Sequence, residues 1–157
     1  MAKGGPELLE DPVARELLAS RIPVRPAYNW TDGTPRVVPL WFHWDGTEVV
    51  VATLPGAPKV KALRTGDPVA LTIDSNESPQ HVLSIRGTAT VTEVRGVVPE
   101  YAQAAVRYLG REQGEGYVQS FPSDIRMPRI AVRPEHVVIL DFETRFPSAL
   151  TALQSGS

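Results

Sequence analysis

The chain of 157 residues has no cysteine, three histidines, two methionines and an aromatic content of only 7%. The lack of cysteine excludes disulfides, zinc ribbons and thiol catalysis, and it is typical of proteins from a reducing compartment. The histidines lie far apart without metal-ligand spacing, so we predict no metal site. The sequence also lacks a G-x-S-x-G elbow, a Walker loop and a G-x-G-x-x-G segment, which excludes the function classes built on them.

An excess of positive charge and long hydrophobic runs are also missing. The net charge is −2, whereas general binding to a nucleic-acid backbone needs an excess of lysine and arginine. No apolar run reaches the roughly 18 residues of a membrane span, and the acidic N-terminus contains no apolar segment of a secretory signal. We therefore expect a cytoplasmic protein with no nucleic-acid partner and no membrane partner.

The sequence is dominated by short strand-like runs separated by turn residues. About seven strands and three short helices are predicted, and the strands follow one another in hairpin order. This order favours a mainly β (β+α), antiparallel barrel with peripheral helices over a doubly wound parallel sheet. The predicted strands are 22–30, 36–42, 47–54, 67–74, 81–94, 127–132 and 137–142. The predicted helices are 11–20, 58–64 and 99–109.

We expect a single domain over residues 1–157, with flexible tails at 1–6 and 146–157. The first three strands are expected to form an antiparallel meander. Gly87 predicts a bulge or sharp bend within a long strand, and Arg133–Glu135 predicts a turn that joins the last two strands.

The strand at residues 36–42 has an unusual pattern, because it is apolar on both faces, whereas a half-buried strand alternates apolar and polar residues. One face consists of Val38, Leu40 and Phe42, and the other of Val37, Pro39 and Trp41. One face is therefore expected to fill a core, and the other to be covered by a partner subunit or a flat ligand.

Thr53 ends the next predicted strand, and a Pro/Gly loop then leads to Lys59 and Lys61 at the start of a short helix. Free amides at a helix start, a lysine ammonium and a threonine hydroxyl are suitable groups for binding a phosphate. Because residues two apart on a helix point in different directions, we expect Lys59 rather than Lys61 to make the direct contact. The alternative is that both lysines are solvated surface residues.

Two further groups are candidates for ligand contact. Trp30, Trp41 and Trp44 are grouped around the first two predicted turns, where they line either a flat-ring pocket or a subunit interface. Arg126 and Arg129 flank a chain bend and are candidates for contact with an anionic ligand, with surface solvation as the alternative.

The run from Asp32 to Asp74 resembles the front half of the pyridoxamine 5′-phosphate oxidase-like, flavin-binding split barrels. The shared elements are D-G-x-P, a V-V-P-x-W-F-type strand, a strand ending in threonine, a lysine with a short helix, and a D-P-x-V-x-L strand. The later strand LSIRGTATVTEV resembles the family's next barrel strand, and the likeness covers about residues 8–142. The chain is more similar to the branch that uses FMN or the deazaflavin F-420, since Pro58 stands where true oxidases have an arginine.

This resemblance implies a Greek-key split barrel that forms a homodimer with cofactor sites at the subunit interface. It implies that Thr53 and Lys59 bind the cofactor phosphate, with Lys61 as a weaker candidate. It also places His81 and Val82 where a neighbouring strand approaches the cofactor ring. The residues whose main chain would run along the ring are Arg36, Val37, Val38, Pro39, Leu40 and Trp41.

The function implied by the resemblance is that of an F-420- or FMN-dependent oxidoreductase. Hydride transfer between the cofactor ring and a small organic substrate needs no catalytic acid or base from the protein, and none is predicted. F-420 is favoured over FMN because its anionic oligoglutamyl tail would contact scattered arginines. The candidate arginines for this contact are Arg36, Arg86, Arg126 and Arg129. The alternatives are a non-catalytic carrier of the cofactor, a haem-handling relative and a true pyridoxamine 5′-phosphate oxidase.

Overall fold

The computed structural model describes residues 1–155, which form one antiparallel sheet of eight strands with five α-helices and a 3-10 helix. The strands are β1 (Ala2–Gly4), β2 (Arg25–Asn29), β3 (Pro35–Val37), β4 (His43–Trp44), β5 (Val49–Ala52), β6 (Pro68–Asp74), β7 (Val82–Arg95) and β8 (Arg126–Leu140). The helices are α1 (Pro12–Ala19), α2 (Pro58–Ala62), α3 (Pro99–Leu109), α4 (Arg111–Gln119) and α5 (Ser148–Ser155), and the 3-10 helix is Pro6–Glu10. None of the helices in this part of the chain has the length and apolar character to cross a membrane.

The strand order explains how the sheet becomes a barrel. The order is β3-β2-β6-β7-β8-β5-β4, and β1 pairs with β8 outside this path. β3 and β4 are therefore at opposite ends of the sheet, although only residues 38–42 separate them in the chain. The sheet must curl until its ends approach each other across this closing segment, where Val24 and Leu40 form a bridge. The mainly β split barrel expected from the sequence is thereby confirmed.

The barrel interior is filled by alternate side chains of the strands. Leu71 and Ile73 of β6 and Leu83 and Ile85 of β7 are each no more than 3% exposed. Phe42, at the end of the closing segment, is fully buried in the same cluster. The closing segment is thus held by apolar burial as well as by its backbone bridge.

β7 and β8 are the longest strands, and they pair along their whole length. A register shift between Arg86 and Gly87 bends this hairpin near its middle. A Cβ atom at position 87 would lie 2.0 Å from the carbonyl oxygen of Arg133, so only glycine fits there. The bulge predicted at Gly87 is confirmed.

The turn predicted at Arg133–Glu135 is wrong, because β8 continues through these residues as one strand. Pro134 lies opposite Gly87, His136 lies opposite Arg86, and Glu135 is the extra residue of the bulge. A bulge is one of the few places where a strand accepts a proline, which has no N–H to donate to the ladder. Proline between polar residues therefore marked a bend within a strand rather than a turn between two strands.

The predicted meander of three strands is also wrong. Residues 36–42 do not form one strand, since β3 ends at Val37 and β4 begins at His43 on the far end of the sheet. Pro39 lies between them and cannot donate to a backbone ladder. The face expected to fill the core does so, and it consists of Val38, Leu40 and Phe42.

The chain ends differ from the prediction as well. Residues 1–6 were expected as a flexible tail, but Ala2–Gly4 pair with Val137–Ile139 of β8. Five helices are present where three were predicted, because α4 and α5 were not expected. α5 lies within the predicted tail 146–157, of which residues 156–157 are outside the described residues.

A buried carboxylate connects the end of β8 to the start of α1. Asp141 is only 5% exposed and accepts backbone N–H hydrogen bonds from Glu143, Thr144 and Arg145 at 2.7–3.0 Å. Arg145 also donates through its side chain to Asp141 at 2.8 Å and to Asp11, the N-cap of α1, at 2.7 Å. Burial raises the pKa of Asp141, but the hydrogen bonds from Arg145 and its neighbours outweigh burial and lower that pKa overall. The side-chain hydrogen bond from Arg145 likewise lowers the pKa of Asp11.

We expect Asp141→Asn to destabilise the fold by roughly 3 kcal/mol at neutral pH, because the variant removes the more buried of the two carboxylates that pair with Arg145 and leaves the guanidinium with Asp11 alone. Since both carboxyl pKa values are lower in the folded chain, their stabilising contribution is complete above about pH 5 and is lost as the pH falls further. Urea unfolding between neutral and acidic pH should therefore show a smaller acid-induced loss of stability in Asp141→Asn than in the wild type.

The matched control is Glu143→Gln, which removes an exposed carboxylate from the same loop and should preserve the acid-induced loss. Equal pH dependence of the wild type and Asp141→Asn would contradict the assignment of this network.

Candidate functional site

Thr53 and Lys59, the two predicted phosphate ligands, are in direct contact. Thr53 follows β5, and its backbone N–H donates to the Pro128 carbonyl of β8 at 3.2 Å. Lys59 lies in the first turn of α2, and its Nζ donates to Thr53 Oγ1 at 3.0 Å. The threonine hydroxyl keeps its own hydrogen available for a ligand. The sheet fixes the threonine, the threonine orients the lysine, and two donors converge at one point.

Lys59 is a partly buried cation without a carboxylate partner. Its side chain lies at the barrel interior beside Tyr28, Val38 and Leu40, and burial lowers its pKa. Within residues 1–155, no aspartate or glutamate lies within ion-pair distance of it. An ammonium that has lost water and has only a hydroxyl as partner would be stabilised by an incoming anion.

Lys61 lies on the same helix but has a different environment. Its side chain is exposed, whereas that of Lys59 is partly buried. α2 has only five residues, so its amides add less to an anion site than the sequence suggested. The fold therefore gives Lys59 a position for ligand binding that Lys61 lacks.

The segment Arg36–Trp41 begins in the edge strand β3 and continues into the closing segment of the split barrel. On its paired side, the N–H groups of Val38 and Leu40 donate to carbonyl groups in and just before β2, at 3.2 and 2.9 Å. Successive residues of a strand direct their backbone N–H and C=O groups to opposite sides, so the odd-numbered residues of this segment direct these groups away from β2. These free groups are available for hydrogen bonds to a flat ligand or to a second chain.

A cleft of about 270 Å³ begins at Thr53 and lies between this edge and the helices α3 and α4. We call it the aromatic cleft, and its lining residues are Pro39, Leu40, Trp41, Ala52, Thr53, Leu54, Tyr101 and Tyr117. None of these side chains is charged. Leu54 stands at the rim and is 51% exposed.

Trp41 forms one wall of the aromatic cleft and is held there by tyrosines. Its ring stacks on Tyr108, with centroids 5.2 Å apart and an interplanar angle of 13°. The ring of Tyr117 meets it edge-on at 5.8 Å, and the tilted ring of Tyr101 lies at 6.0 Å. The second apolar face of the predicted strand is therefore covered at Trp41 by the helices of the same chain.

Hydrogen bonds to three carbonyl groups anchor the helix that carries two of these tyrosines. Arg107 donates through Nε to the Ser20 carbonyl at 3.0 Å and through Nη2 to the Phe42 carbonyl. Tyr108 donates through its hydroxyl to the Ile22 carbonyl at 3.0 Å. Helix α3 is thereby fixed to the end of α1 and to the closing segment, which sets the width of the aromatic cleft.

Tyr101 and Tyr117 contact each other through their hydroxyl groups, whose oxygens are 3.1 Å apart. Burial raises the pKa of Tyr101, and the hydrogen bond to Tyr117 raises it further, so this phenol is neutral at physiological pH. Two hydroxyl groups share one mutual hydrogen bond, which leaves one hydrogen free to donate. The cleft therefore offers a neutral donor in an otherwise apolar wall.

His81 and Val82 are not near Thr53 within one chain. His81 Nδ1 lies 3.1 Å from Glu16 of α1, and Val82 pairs with the last residue of β8. Thr53 contacts Pro128, close to the first residue of β8. A role for His81 and Val82 at the same cofactor therefore requires a second copy of the chain.

Arg126 and Arg129 already have carboxylate partners. Arg129 donates to Glu100 from Nε at 3.1 Å and from Nη2 at 2.6 Å, and both side chains of this pair are about four-fifths buried. Arg126 forms an exposed ion pair with Glu93 at 3.1 Å. Arg36 donates to a threonine within its own turn at 2.6 Å. The expected arginine track is therefore not a row of free cations within one chain.

The three tryptophans do not form one pocket. The Trp30 ring has the guanidinium of Arg36 5.8 Å from its centroid, and Trp44 packs against the core cluster. Only Trp41 lines the aromatic cleft. No ring contact joins any two tryptophans in the described part of the chain, because the curled sheet separates the two turns that carry them.

Tyr101 and Tyr117 line the candidate site but were not predicted from the sequence. One signal was present, since three of the four tyrosines lie between positions 101 and 117. Helix α4 was not predicted because Gly114 and Gly116 lower helix propensity. Gly114 instead permits a close crossing of α3 and α4, where an added Cβ atom would lie 2.6 Å from Val106 Cα.

Comparison with known proteins places the chain in a family. The model of the pyridoxamine 5′-phosphate oxidase family matches residues 11–140. No curated protein sequence matches the chain.

Similar solved structures share the fold at low sequence identity. An F420 reductase is 22% identical, with a TM-score of 0.55, over 80% of this chain and 94% of the other. The heme storage protein HutZ from Vibrio cholerae is 17% identical, with a TM-score of 0.57, over 82% and 94%. The FAD and heme binding protein from Mycobacterium smegmatis is 18% identical, with a TM-score of 0.59, over 100% and 81%. At this level of identity these likenesses establish the architecture alone, whereas the family model covers most of the sequence. The chain belongs to the pyridoxamine 5′-phosphate oxidase family.

Proposed function

We propose that the protein is an oxidoreductase that binds F-420 or FMN and transfers hydride between the cofactor ring and a small organic substrate. The observation that carries this proposal is the contact between Lys59 and Thr53 at 3.0 Å. The lysine is partly buried and has no carboxylate partner within residues 1–155. Thr53, whose hydroxyl accepts the hydrogen bond from this lysine, also lines the mouth of the aromatic cleft. A phosphate group would accept hydrogen bonds from both side chains. Membership of the family and the fold shared with an F420 reductase support the same conclusion.

The residues beside this pair suit a flat ring attached to the phosphate. The unpaired edge of Arg36–Trp41 presents the backbone carbonyl groups of Val37, Pro39 and Trp41 and the N–H groups of Val37 and Trp41, which fit the polar edge of a flavin or deazaflavin ring. The apolar side chains of the same segment would pack against the bound ring and exclude water from it. The bound cofactor supplies the hydride chemistry, while the chain binds the phosphate, orients the ring and keeps the site dry.

A second candidate function is a carrier or binding protein for the same cofactor, because Lys59 and Thr53 serve binding equally well without turnover. A heme-handling role is the third, since HutZ shares the fold. The absorbance spectrum of the purified protein, before and after addition of each cofactor, distinguishes FMN, F-420 and haem. Reoxidation of the reduced cofactor by added substrates then separates an enzyme from a carrier.

We expect Lys59→Ala to weaken cofactor binding roughly ten- to hundredfold, because a charge-assisted hydrogen bond contributes about 1.5–3 kcal/mol. Thr53→Val should also weaken binding while the barrel stays folded, since it keeps the side-chain volume and removes only the hydroxyl. Fluorescence or absorbance titrations with F-420 and FMN measure both effects.

The matched control for Lys59→Ala is Lys61→Ala, which removes the same charge from an exposed position on the same helix. Lys61→Ala should change the affinity by less than about threefold, as expected for a screened surface charge. Equal and small effects of the two lysine variants would show that both are surface charges and would remove the basis of the proposal.

We propose that a second copy of the chain packs against the open edge, with the cofactor ring between the two chains, and completes the site. Val37 is 64% exposed on this edge and lies next to unpaired backbone groups. Exposed apolar residues next to an unpaired strand edge are typical of a surface that another chain covers. His81 and Val82 would then reach the ring from the partner.

Light scattering should show a dimer at micromolar concentration. Val37→Asp should shift the protein toward the monomer and weaken cofactor binding at least tenfold, because it buries an unpaired charge in the interface. Leu153→Asp places the same charge at an exposed leucine of α5 and should change neither quantity. A wild-type monomer that binds the cofactor with full affinity would exclude a shared site.

F-420 should bind more tightly than FMN at low ionic strength, and high salt should reduce this difference. The physical reason is that an anionic oligoglutamyl tail contacts exposed arginines such as Arg36 and Arg86, and exposed charge pairs are screened by salt. Parallel titrations at low and high salt test this preference. Tighter binding of FMN under both conditions, with F-420 affinity independent of salt, would identify a plain flavin barrel.

A further inference from the structure

The aromatic cleft contains groups that phosphate binding does not use. We propose that it is the substrate subsite and that it accepts an uncharged, planar ring that carries a carbonyl or similar hydrogen-bond acceptor. This inference rests on the proposed function, because it assigns a substrate class to the reaction of a cofactor held at Lys59 and Thr53.

The charge of the site excludes an anionic substrate. None of the side chains that line the cleft is charged. The cations on the neighbouring elements are engaged, since Arg129 pairs with Glu100 and Arg107 donates to two backbone carbonyls. Lys59 is bound to the Thr53 hydroxyl and is assigned to the cofactor phosphate. A phosphorylated or carboxylated substrate would lose water in the cleft without gaining a counter-charge, and this costs several kcal/mol.

The shape and lining of the cleft fit a flat apolar ring. Trp41, Tyr101 and Tyr117 meet at centroid distances of 5.8 to 6.3 Å in tilted and edge-on arrangements, so their faces and edges line the same space. Leu54 extends an apolar surface at the rim, where it is 51% exposed. A volume of about 270 Å³ lies just below the range of about 300–1,000 Å³ that is usual for small-molecule sites, which suits a substrate of one or two fused rings.

The hydroxyl pair selects the functional group on that ring. Tyr101 and Tyr117 satisfy each other with a single hydrogen bond, and the second hydroxyl hydrogen is left to donate. A carbonyl oxygen accepts this hydrogen without bringing a charge into the cleft. Apart from Thr53, which is assigned to the phosphate, the tyrosine pair provides the only side-chain hydroxyls among the lining residues.

The position of the cleft places such a substrate next to the cofactor. Thr53 belongs both to the phosphate pair and to the cleft wall. Pro39, Leu40 and Trp41 belong both to the cleft and to the edge along which the cofactor ring is proposed to lie. Reduction of the substrate would add a hydride from the reduced cofactor to a substrate carbon and a proton from solvent to its oxygen, so the two rings must face each other in contact, and this shared wall would hold them together.

The experiment uses the full-length protein and three matched probes in equilibrium dialysis, with inorganic phosphate in excess so that Lys59 and Thr53 are already occupied by an anion. The probes are 2-acetylnaphthalene, which has the ring and the acceptor, naphthalene, which has the ring alone, and 2-naphthoate, which adds a negative charge. We expect the ketone to bind about threefold more tightly than naphthalene and at least tenfold more tightly than the carboxylate. Binding of the carboxylate as tight as that of the ketone would overturn the inference.

The double variant Tyr101→Phe/Tyr117→Phe tests the hydroxyl pair while keeping both rings. It should abolish the advantage of the ketone over naphthalene and leave the affinity for naphthalene within about twofold, because only the donor is lost. An unchanged ketone advantage, in a variant with wild-type unfolding behaviour, would contradict the role assigned to the pair.

A charge added at the rim tests selectivity by a gain of binding. Leu54→Lys should raise the affinity for 2-naphthoate at least threefold, whereas Leu153→Lys, at an exposed leucine of α5, should not change it. Equal effects of the two lysine variants would show that the carboxylate binds elsewhere and would overturn the location of the subsite.

Saturation with FMN or F-420, whichever binds, separates this inference from the proposed function. The ketone should bind with undiminished affinity to the saturated protein. Displacement of the ketone by the cofactor would assign the cleft to the cofactor ring, which overturns the subsite and leaves the proposed function intact. Absence of cofactor binding, together with the predicted order of the three probes, would reject the proposed function and retain the ligand class of the cleft.

Discussion

The close approach of Gly87 to the Arg133 carbonyl is the constraint on which the rest of the structure depends. β7 and β8 pair over their whole length, and a flat hairpin of this size would not curl into a barrel. The bulge bends the hairpin at the point where Gly87 has no side chain and Pro134 needs no ladder hydrogen bond. Because all other strands add to the two sides of this bent pair, its curvature sets the curvature of the sheet.

Curvature brings β3 and β4 toward each other, and the closing segment between them produces the candidate site. Its inward side chains, such as Val38 and Leu40, pack into the core, while its outward backbone groups stay unpaired. Lys59 reaches the same region from α2 and lies beside these inward side chains. Lys59, which has no carboxylate partner, and the closing segment, whose outer edge has no strand partner, therefore lie together. Both are found where the sheet closes without continuous strand pairing.

Helices α3 and α4 contribute the tyrosines of the aromatic cleft. Arg107 and Tyr108 bind α3 to backbone carbonyls, so that Tyr101 faces the barrel edge at a fixed distance. α4 crosses α3 closely at Gly114 and brings Tyr117 to the same place. The strands therefore present groups suited to a phosphate and a ring edge, whereas the helices add an uncharged aromatic wall.

Much of this protein could be predicted from local sequence signals. Gly87 indicated a bulge, and Val38, Leu40 and Phe42 indicated a core face, because glycine and alternating apolar residues act within a few positions of the chain. Thr53 and Lys59 were identified as a pair because a strand end, a tight loop and a helix start restrict their separation.

Pairing over long distances could not be predicted in the same way. The pairing of Pro134 with Gly87 is not visible in the sequence, so this proline suggested a turn. The closure of the barrel between β3 and β4 is not visible either, so two consecutive hairpins suggested a meander. Tyr101 and Tyr117 meet Trp41 only after α3 and α4 pack on the edge. Sequence by itself determined most of the strands, the bulge and the proximity of Thr53 and Lys59, because local sterics and hydrogen bonding control them. The tertiary structure alone decided which residues line the aromatic cleft, because that depends on how distant segments share one curved surface.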